Sequence, residues 1–443
     1  MKKSLFALAA VSAIAGTAQA QSSVTVYGVM DLGYAGSNYK AAGQPAGATQ
    51  TGGATVATNN TSSIETGAQS TSRLGFKGNE DLGGGLSAFF TIETALTPNN
   101  QQAISTSAGT ANRQTFVGLK KNGIGSFAIG TQYTTIHNAV AATDPGMQNN
   151  MAGNVIYDKT TATNTTYWTQ ATSSVAGTGT FSAQQDNTSY TVRANNMLSL
   201  TSDTFAGFQG NAFYVLNNAN TNQTTTVTSS TTTVSGGTNS HTGFGLGANY
   251  TWNKLLVTAN FQQFTDKQSY TVSNSTGAYS ASAPVMGGYG GTTVPGTNDK
   301  DNQQYYAATY DFGMLKAYVQ YVNRKTLDVN NPNNYVARTA QQIGVRSFIT
   351  PTVETWASAG TGKYTVSTGA AGTNYFVAGS SSIGSNAANF GAFQLGSNYW
   401  LSKRTNLYAI YGQQHTSNQS YTSGANPVSY NENNYAVGVR HTF

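Results

Sequence analysis

The chain has 443 residues, no cysteine, only 9% charged residues and a formal net charge of +6. The lack of cysteine excludes disulfides and thiolate sites. The scarcity of charge excludes a charge-driven disordered chain. No basic cluster stands out, so nucleic-acid binding has no support. Abundant Gly, Ser, Thr and Asn instead indicate many short strands joined by polar turns.

The amino terminus has the features of a secretory signal peptide. Lys2 and Lys3 form a positive segment, residues 5–16 are a short apolar run, and Ala18-Gln19-Ala20 is a typical cleavage site. The apolar run is too short to span a membrane as a helix. We therefore predict a signal peptide over residues 1–20 and one exported domain over residues 21–443.

The remaining chain predicts sixteen amphipathic strands, because apolar and polar residues alternate with the period of two that a strand requires. In segment 24–34, Val24 and Val26 share one face, whereas Tyr27 and Asp31 share the other. Further segments of this kind are 73–78, 86–94, 112–120, 124–134, 188–200, 205–216, 241–252, 254–265, 303–311, 314–325, 339–349, 352–364, 390–401, 405–414 and 434–443.

The predicted connections alternate between short and long. Short turns include 79–83 and 121–123, and the long loops lie near 35–70, 95–111, 135–187, 217–240, 266–302, 326–338, 365–389 and 415–433. The Thr-rich run 224–233 and the Gly-rich run 287–291 fall in long loops. This asymmetry is typical of outer-membrane barrels. A β-solenoid would show a short fixed period, and a soluble sandwich would not need alternating loop lengths.

We therefore predict an all-β fold, a 16-stranded antiparallel transmembrane β-barrel, whose lumen-facing charges decide its function. Strand parity assigns five basic residues to the water-facing side: Arg73, Lys77, Arg193, Lys316 and Arg346. Arg440 has the same parity but lies near the periplasmic end, which favours a structural role. The acidic candidates are Asp31, Glu93 and, in a long loop, Asp144. Each charge can either line a constriction or pair with a neighbour and stiffen the wall, and parity alone leaves both interpretations open.

Motifs for enzyme chemistry are missing from the sequence. The four histidines are dispersed and form no H-E-x-x-H pair, and no P-loop or G-x-S-x-G motif is complete. We therefore predict no catalytic activity, no metal and no cofactor.

Several strings resemble the trimeric general porins of the β-proteobacterial outer membrane, the neisserial and Burkholderia-like group. They are Val24 to Asp31, Ser72 to Leu86, Arg113 to Leu119, Tyr399 to Thr405 and Val437 to Phe443. The resemblance implies a homotrimer and a pore-constricting third loop, here near 135–187. Family members often carry Gly-Arg-Gln at the end of the fifth strand. This chain has Gly130-Thr131-Gln132, which weighs against a strongly anion-selective constriction.

The last strand resembles the signal that the barrel-assembly machinery recognises. Tyr435, Val437, Val439 and Phe443 lie at alternate positions and share one face. The resemblance implies insertion into outer-membrane lipid by that machinery.

The predicted function is a water-filled outer-membrane channel for passive diffusion of small hydrophilic solutes and ions, with a weak preference for anions. A substrate-selective channel for a sugar or small organic anion remains open, and saturable flux would identify it. A surface adhesin that uses the long loops is a further alternative, and ligand binding without ion conductance would identify it.

Overall fold

The computed structural model describes residues 23–42, 56–99, 112–158, 187–228, 231–267, 270–273, 298–329, 332–333, 335–368, 384–418 and 429–443. The predicted signal peptide, most of the long loop after the helix and the Gly-rich run 287–291 lie outside these ranges. Within them, no helix is long and apolar enough to cross a bilayer.

The described residues form eighteen β-segments and one helix of nine residues. They are β1 Ser23–Ala42, β2 Val56–Thr66, β3 Arg73–Gly83, β4 Leu86–Ala95, β5 Asn112–Lys121, β6 Gly125–Tyr133, α1 Thr135–Thr143, β7 Arg193–Ser202, β8 Phe208–Thr228, β9 Thr231–Trp252, β10 Leu255–Lys267, β11 Tyr270–Ser273, β12 Asn298–Asp311, β13 Lys316–Asp328, β14 Tyr335–Phe348, β15 Val353–Thr368, β16 Gly384–Trp400, β17 Thr405–Asn418 and β18 Ser429–Thr442.

The eighteen segments make a closed antiparallel barrel of sixteen wall strands. One edge of β1 pairs with β18, and its other edge pairs first with β3 and then with β2. β2 and β3 are thus two parts of one interrupted wall strand. β10 and β11 both pair with β9, so they form a second interrupted strand. The predicted antiparallel barrel of sixteen strands is confirmed, and each predicted segment overlaps a wall strand.

The barrel closes where the last residue meets the first strand. Gly28 and Phe443 exchange both backbone hydrogen bonds, at 3.1 and 3.2 Å. A Cβ atom on Gly28 would overlap Cζ of the Phe443 ring. Any larger residue at position 28 would therefore displace the terminal ring. Glycine at this position lets the terminal ring lie against β1.

The barrel has an inverted surface, apolar outside and polar inside. In β14, the outward Ile343 is 66% exposed, whereas the inward Gln342 is 1% exposed. The same alternation places Val437 outward and Asn434 inward in β18. A continuous exposed apolar belt is unfavourable in water and favourable against lipid. The wall is therefore suited to a bilayer.

Several predicted long loops are in fact strand. β8 extends to Thr228 and β9 begins at Thr231, so the Thr-rich run 224–233 belongs mainly to a hairpin and the loop prediction there was wrong. The physical reason is that β-branched threonine favours extended backbone. β2 and β11 likewise lie inside segments predicted to be loops.

Candidate functional site

After β6 the chain leaves the wall and enters the barrel interior. We call residues 134–158 the inner segment. Thr134 caps α1, and its Oγ1 accepts a hydrogen bond from the His137 amide at 3.3 Å. At the other end of the helix, Thr143 Oγ1 and Tyr305 OH of β12 lie 2.6 Å apart. The helix therefore starts at a side-chain cap and ends against an inward-facing tyrosine of the wall.

Side chains of β14 and β16 hold the middle of the inner segment. The Val155 amide donates to Gln342 Oε1 at 3.1 Å, and the Val155 carbonyl accepts from Arg338 Nη2 at 2.7 Å. Asn149 and Gln394 exchange two side-chain hydrogen bonds, at 2.6 and 3.0 Å. These five residues are buried. The inner segment is therefore packed against the inner wall rather than projecting from the barrel mouth.

Asp144 shapes the inner segment from within. Its Oδ2 accepts from the Gln148 amide at 2.6 Å, and its Oδ1 accepts from Asn154 Nδ2 at 2.8 Å. The residue is 3% exposed. Burial raises the pKa of this carboxyl above its ordinary value, although the hydrogen bonds oppose the shift. Of the predicted acidic candidates, it is the one that lies on the inner segment.

Asp31 is fully buried in β1 and bonded through both carboxylate oxygens. Oδ1 accepts from Tyr408 OH at 2.7 Å. Oδ2 accepts from the amides of Gln69 and Ser70 at 2.9 and 2.6 Å. Arg440 is its register partner on β18. The carboxylate therefore organises the break between β2 and β3.

Glu93 is the centre of a basic cluster. Its Oε1 accepts from Arg113 Nε at 2.7 Å and lies 3.9 Å from Arg73 Nη1. Its Oε2 accepts from Tyr27 OH at 3.1 Å. Arg73 also donates to Ser70 Oγ at 2.7 Å. The structure thus joins the predicted Arg73 and Glu93, and it adds Arg113, which was noted only as part of a family string.

The other predicted basic residues differ in exposure. Lys77 is exposed, with Nζ 5.5 Å from the centroid of the Tyr27 ring. Lys316 is partly exposed, and Arg193 is buried at 3%. Arg346 donates to Glu354 Oε1 at 2.6 Å and to the Pro145 carbonyl at 2.7 Å. Lys77 therefore has the most exposed side chain of the set, and Arg346 ties the inner segment to β14.

Two buried arginines were missed by sequence reasoning. Arg324 pairs with Asp301 at 2.6 Å, and Arg338 pairs with Asp158 at 3.2 Å. Arg324 also donates to the Asn187 carbonyl at 2.7 Å. Arg324 has the same parity in β13 as Lys316, and Arg338 has the same parity in β14 as Arg346. Strand parity therefore predicts that both arginines face the lumen. Arg338 lay one residue outside its predicted strand, so it was not assigned to the wall.

Several carboxylates on the inner segment and the adjoining wall are more deeply buried than five cations of the wall. Five carboxylates among the described residues are buried and hydrogen-bonded, and they are Asp31, Glu93, Asp144, Asp158 and Glu354. Arg73, Lys77, Lys316, Arg346 and Arg440 keep partial or full exposure. The exposed positions of the inner segment carry no charge. They are Asn138, Ala141, Ala142 and Met147. The arrangement therefore presents cationic groups to water and hides these carboxylates.

The four residues of the predicted assembly signal all point away from the barrel interior. Tyr435, Val437, Val439 and Phe443 are 42 to 54% exposed and form part of the apolar belt. Their common face is confirmed, and their part in assembly stays a prediction.

Comparison with known sequences relates the chain to outer-membrane porins. The sequence profile of Gram-negative porins matches residues 7–419. The chain is 47% identical over 93 residues to outer membrane porin protein 32 of Delftia acidovorans, which covers 21% of this chain and 22% of that protein. It is 32% identical over 147 residues to an outer membrane porin protein of Bordetella pertussis, which covers 33% and 37%. The matched segments thus span well under half of these relatives.

Solved structures share the fold over nearly the whole chain. The anion-selective porin from Comamonas acidovorans superposes with a TM-score of 0.59 and 18% identity, covering 96% of this chain and all of that one. OmpT of Vibrio cholerae, in its trimer form, gives 0.55 and 16%, covering 95% and 99%. At such identities the likeness shows the fold alone. The sequence profile extends over most of the chain, and with the closed sixteen-stranded barrel it shows that this protein belongs to the Gram-negative porin family.

Proposed function

We propose that the chain forms a water-filled channel through the outer membrane, through which small hydrophilic solutes and ions diffuse down their gradients. The observation that carries the proposal is the inverted barrel. An apolar belt around a polar interior allows water-soluble molecules to cross lipid through the interior. Family membership supports the same conclusion. Diffusion through such a channel needs no cofactor and no catalytic step.

The inner segment is the constriction of this channel. It belongs to the third long connection and is bonded to the inward side chains of β12, β14 and β16. Its bulk therefore reduces the open cross-section at its own level, and the passage runs past its uncharged exposed face. The basic residues that keep solvent exposure lower the barrier for anions. Since only a few are exposed, the preference for anions is weak.

A homotrimer is the assembly that we propose, in line with the trimer form of the solved Vibrio cholerae barrel. Residues 1–20 act as a signal peptide, and residues 21–443 form the exported barrel. Outer-membrane lipid covers the apolar belt. The barrel-assembly machinery inserts the chain through its terminal strand.

Planar lipid bilayers test the proposal directly. The purified protein should insert in large conductance steps and close in three equal sub-steps if each barrel of a trimer conducts independently. In a KCl gradient, the zero-current potential should favour chloride weakly. Flux of neutral sugars into liposomes should rise linearly with concentration. Saturating flux would point to a substrate-selective channel, and an inserted protein without conductance would refute the channel.

A further inference from the structure

The break between β2 and β3 is an inward-turned segment, which we call the clasp and define as residues 67–72. The chain leaves the wall at Gly67, where φ is +80°, a backbone conformation that glycine adopts without strain. It returns to the wall at Arg73. The clasp is bonded to β1 at both ends, because the Gly67 amide donates to the Asp31 carbonyl at 3.0 Å and the Asp31 amide donates to Ser72 Oγ at 2.9 Å.

The Asp31 side chain fixes the middle of the clasp. One carboxylate oxygen accepts both the Gln69 and the Ser70 amides, while the other accepts Tyr408 OH. The Gln69 side chain is held in turn by Asn406 Nδ2 at 2.9 Å. The clasp is therefore tied to β1 and β17 at once, and few conformations satisfy all of these bonds.

The clasp also holds the inner segment. The Asn150 amide donates to the Ala68 carbonyl at 3.0 Å. Asn150 Nδ2 donates to the Gly67 carbonyl at 2.6 Å and to Thr71 Oγ1 at 3.2 Å. The neighbouring Met151 packs in one apolar cluster with Ala68 and Tyr408. The inner segment is thus bonded to β14, to β16 and to the clasp.

We infer that the clasp immobilises the constriction and that Asp31 is its positioning residue, an inference that rests on the proposed channel. Asp31 acts through hydrogen bonds, because its carboxylate accepts from the Gln69 amide, the Ser70 amide and the Tyr408 hydroxyl. Without it, two amides lose their acceptor, and leaving buried donors unpaired is unfavourable. The clasp then opens, Asn150 loses its anchor, and the inner segment fluctuates in the path of the ions.

The test compares four variants in single-channel recordings. Asp31→Ala removes the acceptors. Asp31→Asn removes the charge but keeps the bonds, since its amide oxygen can accept both amides while its NH2 donates to Tyr408 OH. Asn150→Ala removes the two side-chain bonds to the clasp and leaves Asp31 intact. Gln413→Ala is the control, because it removes a single exposed hydrogen bond to Asn431.

We expect Asp31→Ala, which leaves two amide donors unpaired, and Asn150→Ala, which leaves the Gly67 carbonyl without this donor, to raise the occupancy of fluctuating current levels about tenfold. Asp31→Asn and Gln413→Ala should stay as quiet as the unmodified channel. Equal noise in Asp31→Asn and Asp31→Ala would show that Asp31 acts by charge, and a quiet Asn150→Ala channel would refute the clasp. If Asp31→Ala does not assemble, Asn150→Ala decides alone. Absence of conductance in the unmodified protein would instead refute the proposed channel.

Discussion

At the scale of single residues, exposure separates the charges that could act on solutes in the proposed channel from those that hold the wall. Arg73 and Glu93 have the same inward parity as Lys77, yet they lie 3.9 Å apart, whereas Lys77 remains exposed. Arg73 is only partly exposed and also donates to Ser70 Oγ at 2.7 Å, so its side chain is held against the wall. We therefore expect Lys77 to be the residue of this set whose charge acts most directly on ions in the proposed channel.

Charge reversal at Lys77 tests that assignment. Lys77→Glu should move the zero-current potential in a KCl gradient toward potassium, because a cation in the lumen is replaced by an anion. Lys325→Glu is a matched control, since Lys325 has outward parity in β13 and stacks on Tyr335. Equal shifts in both variants would mean that Lys77 acts only through the overall charge of the protein.

Arg338 tests the role of the buried ion pairs. Arg338→Met leaves Asp158 and the Val155 carbonyl without this donor in a buried place. Removing one partner of a buried pair costs about 3–5 kcal/mol. We expect the amides of residues 152–158 to exchange hydrogen much faster, while the amides of β14 stay protected. Lys363→Met, which removes an exposed cation from β15, should leave exchange unchanged. Full protection of residues 152–158 in Arg338→Met would contradict this role.

At the scale of elements, the stability of the docked inner segment depends on pH through Asp144, which follows α1. Burial raises the pKa of Asp144, so this carboxyl stabilises the docked segment fully below its ordinary pKa of 3.8. That contribution is lost as the pH rises through the raised pKa. Asp144→Asn cannot ionise. The stability of the unmodified protein relative to Asp144→Asn should therefore fall between acidic and neutral pH, measured by thermal unfolding in detergent. A stability difference between the two proteins that stays constant across this pH range would contradict the predicted pH dependence.

The terminal strand provides a second test at this scale. Phe443→Ala removes the ring that lies over Gly28 and weakens the proposed assembly signal. We expect a smaller fraction of barrel in the outer membrane, measured by heat-dependent migration in gel electrophoresis. Thr442→Ala changes the inward neighbour and should assemble almost normally. Equal defects in both variants would show that the strand end matters rather than its apolar face.

Alternation along the chain was enough to predict the wall. β14 shows why, because the period of two that separates Ile343 from Gln342 is a local property that sequence displays directly. The interruption at 67–72 was not predictable in this way. It depends on Asp31, whose carboxylate meets amides 38 and 39 residues away.

The docking of the inner segment was even less predictable from local sequence patterns. Its bonds to Arg338 and Gln394 join residues separated by 183 and 245 positions. Parity also assigns a side chain to the lumen without indicating its partner. Asp31, Glu93 and Asp144 were therefore predicted on the basis of charge alone, and their burial was not predicted.

At the scale of the whole molecule, the barrel exchanges the usual places of apolar and polar residues. The wall satisfies its backbone groups through strand pairing that closes on itself, which removes the exposed edges that a bilayer does not tolerate. The interior then holds buried carboxylates against arginines, and the inner segment is packed against the inward side of the wall. In the proposed channel, ion selectivity is left to the charged side chains that remain accessible.

The central claim is that the barrel is an open aqueous channel with a weak preference for anions. The most direct measurement is the zero-current potential of the purified protein in a planar bilayer under a tenfold KCl gradient. We predict stepwise ohmic conductance and a potential displaced modestly toward the chloride equilibrium value. A potential displaced toward potassium would contradict the assignment of the lumen charges, and stable insertion without conductance would contradict the channel itself.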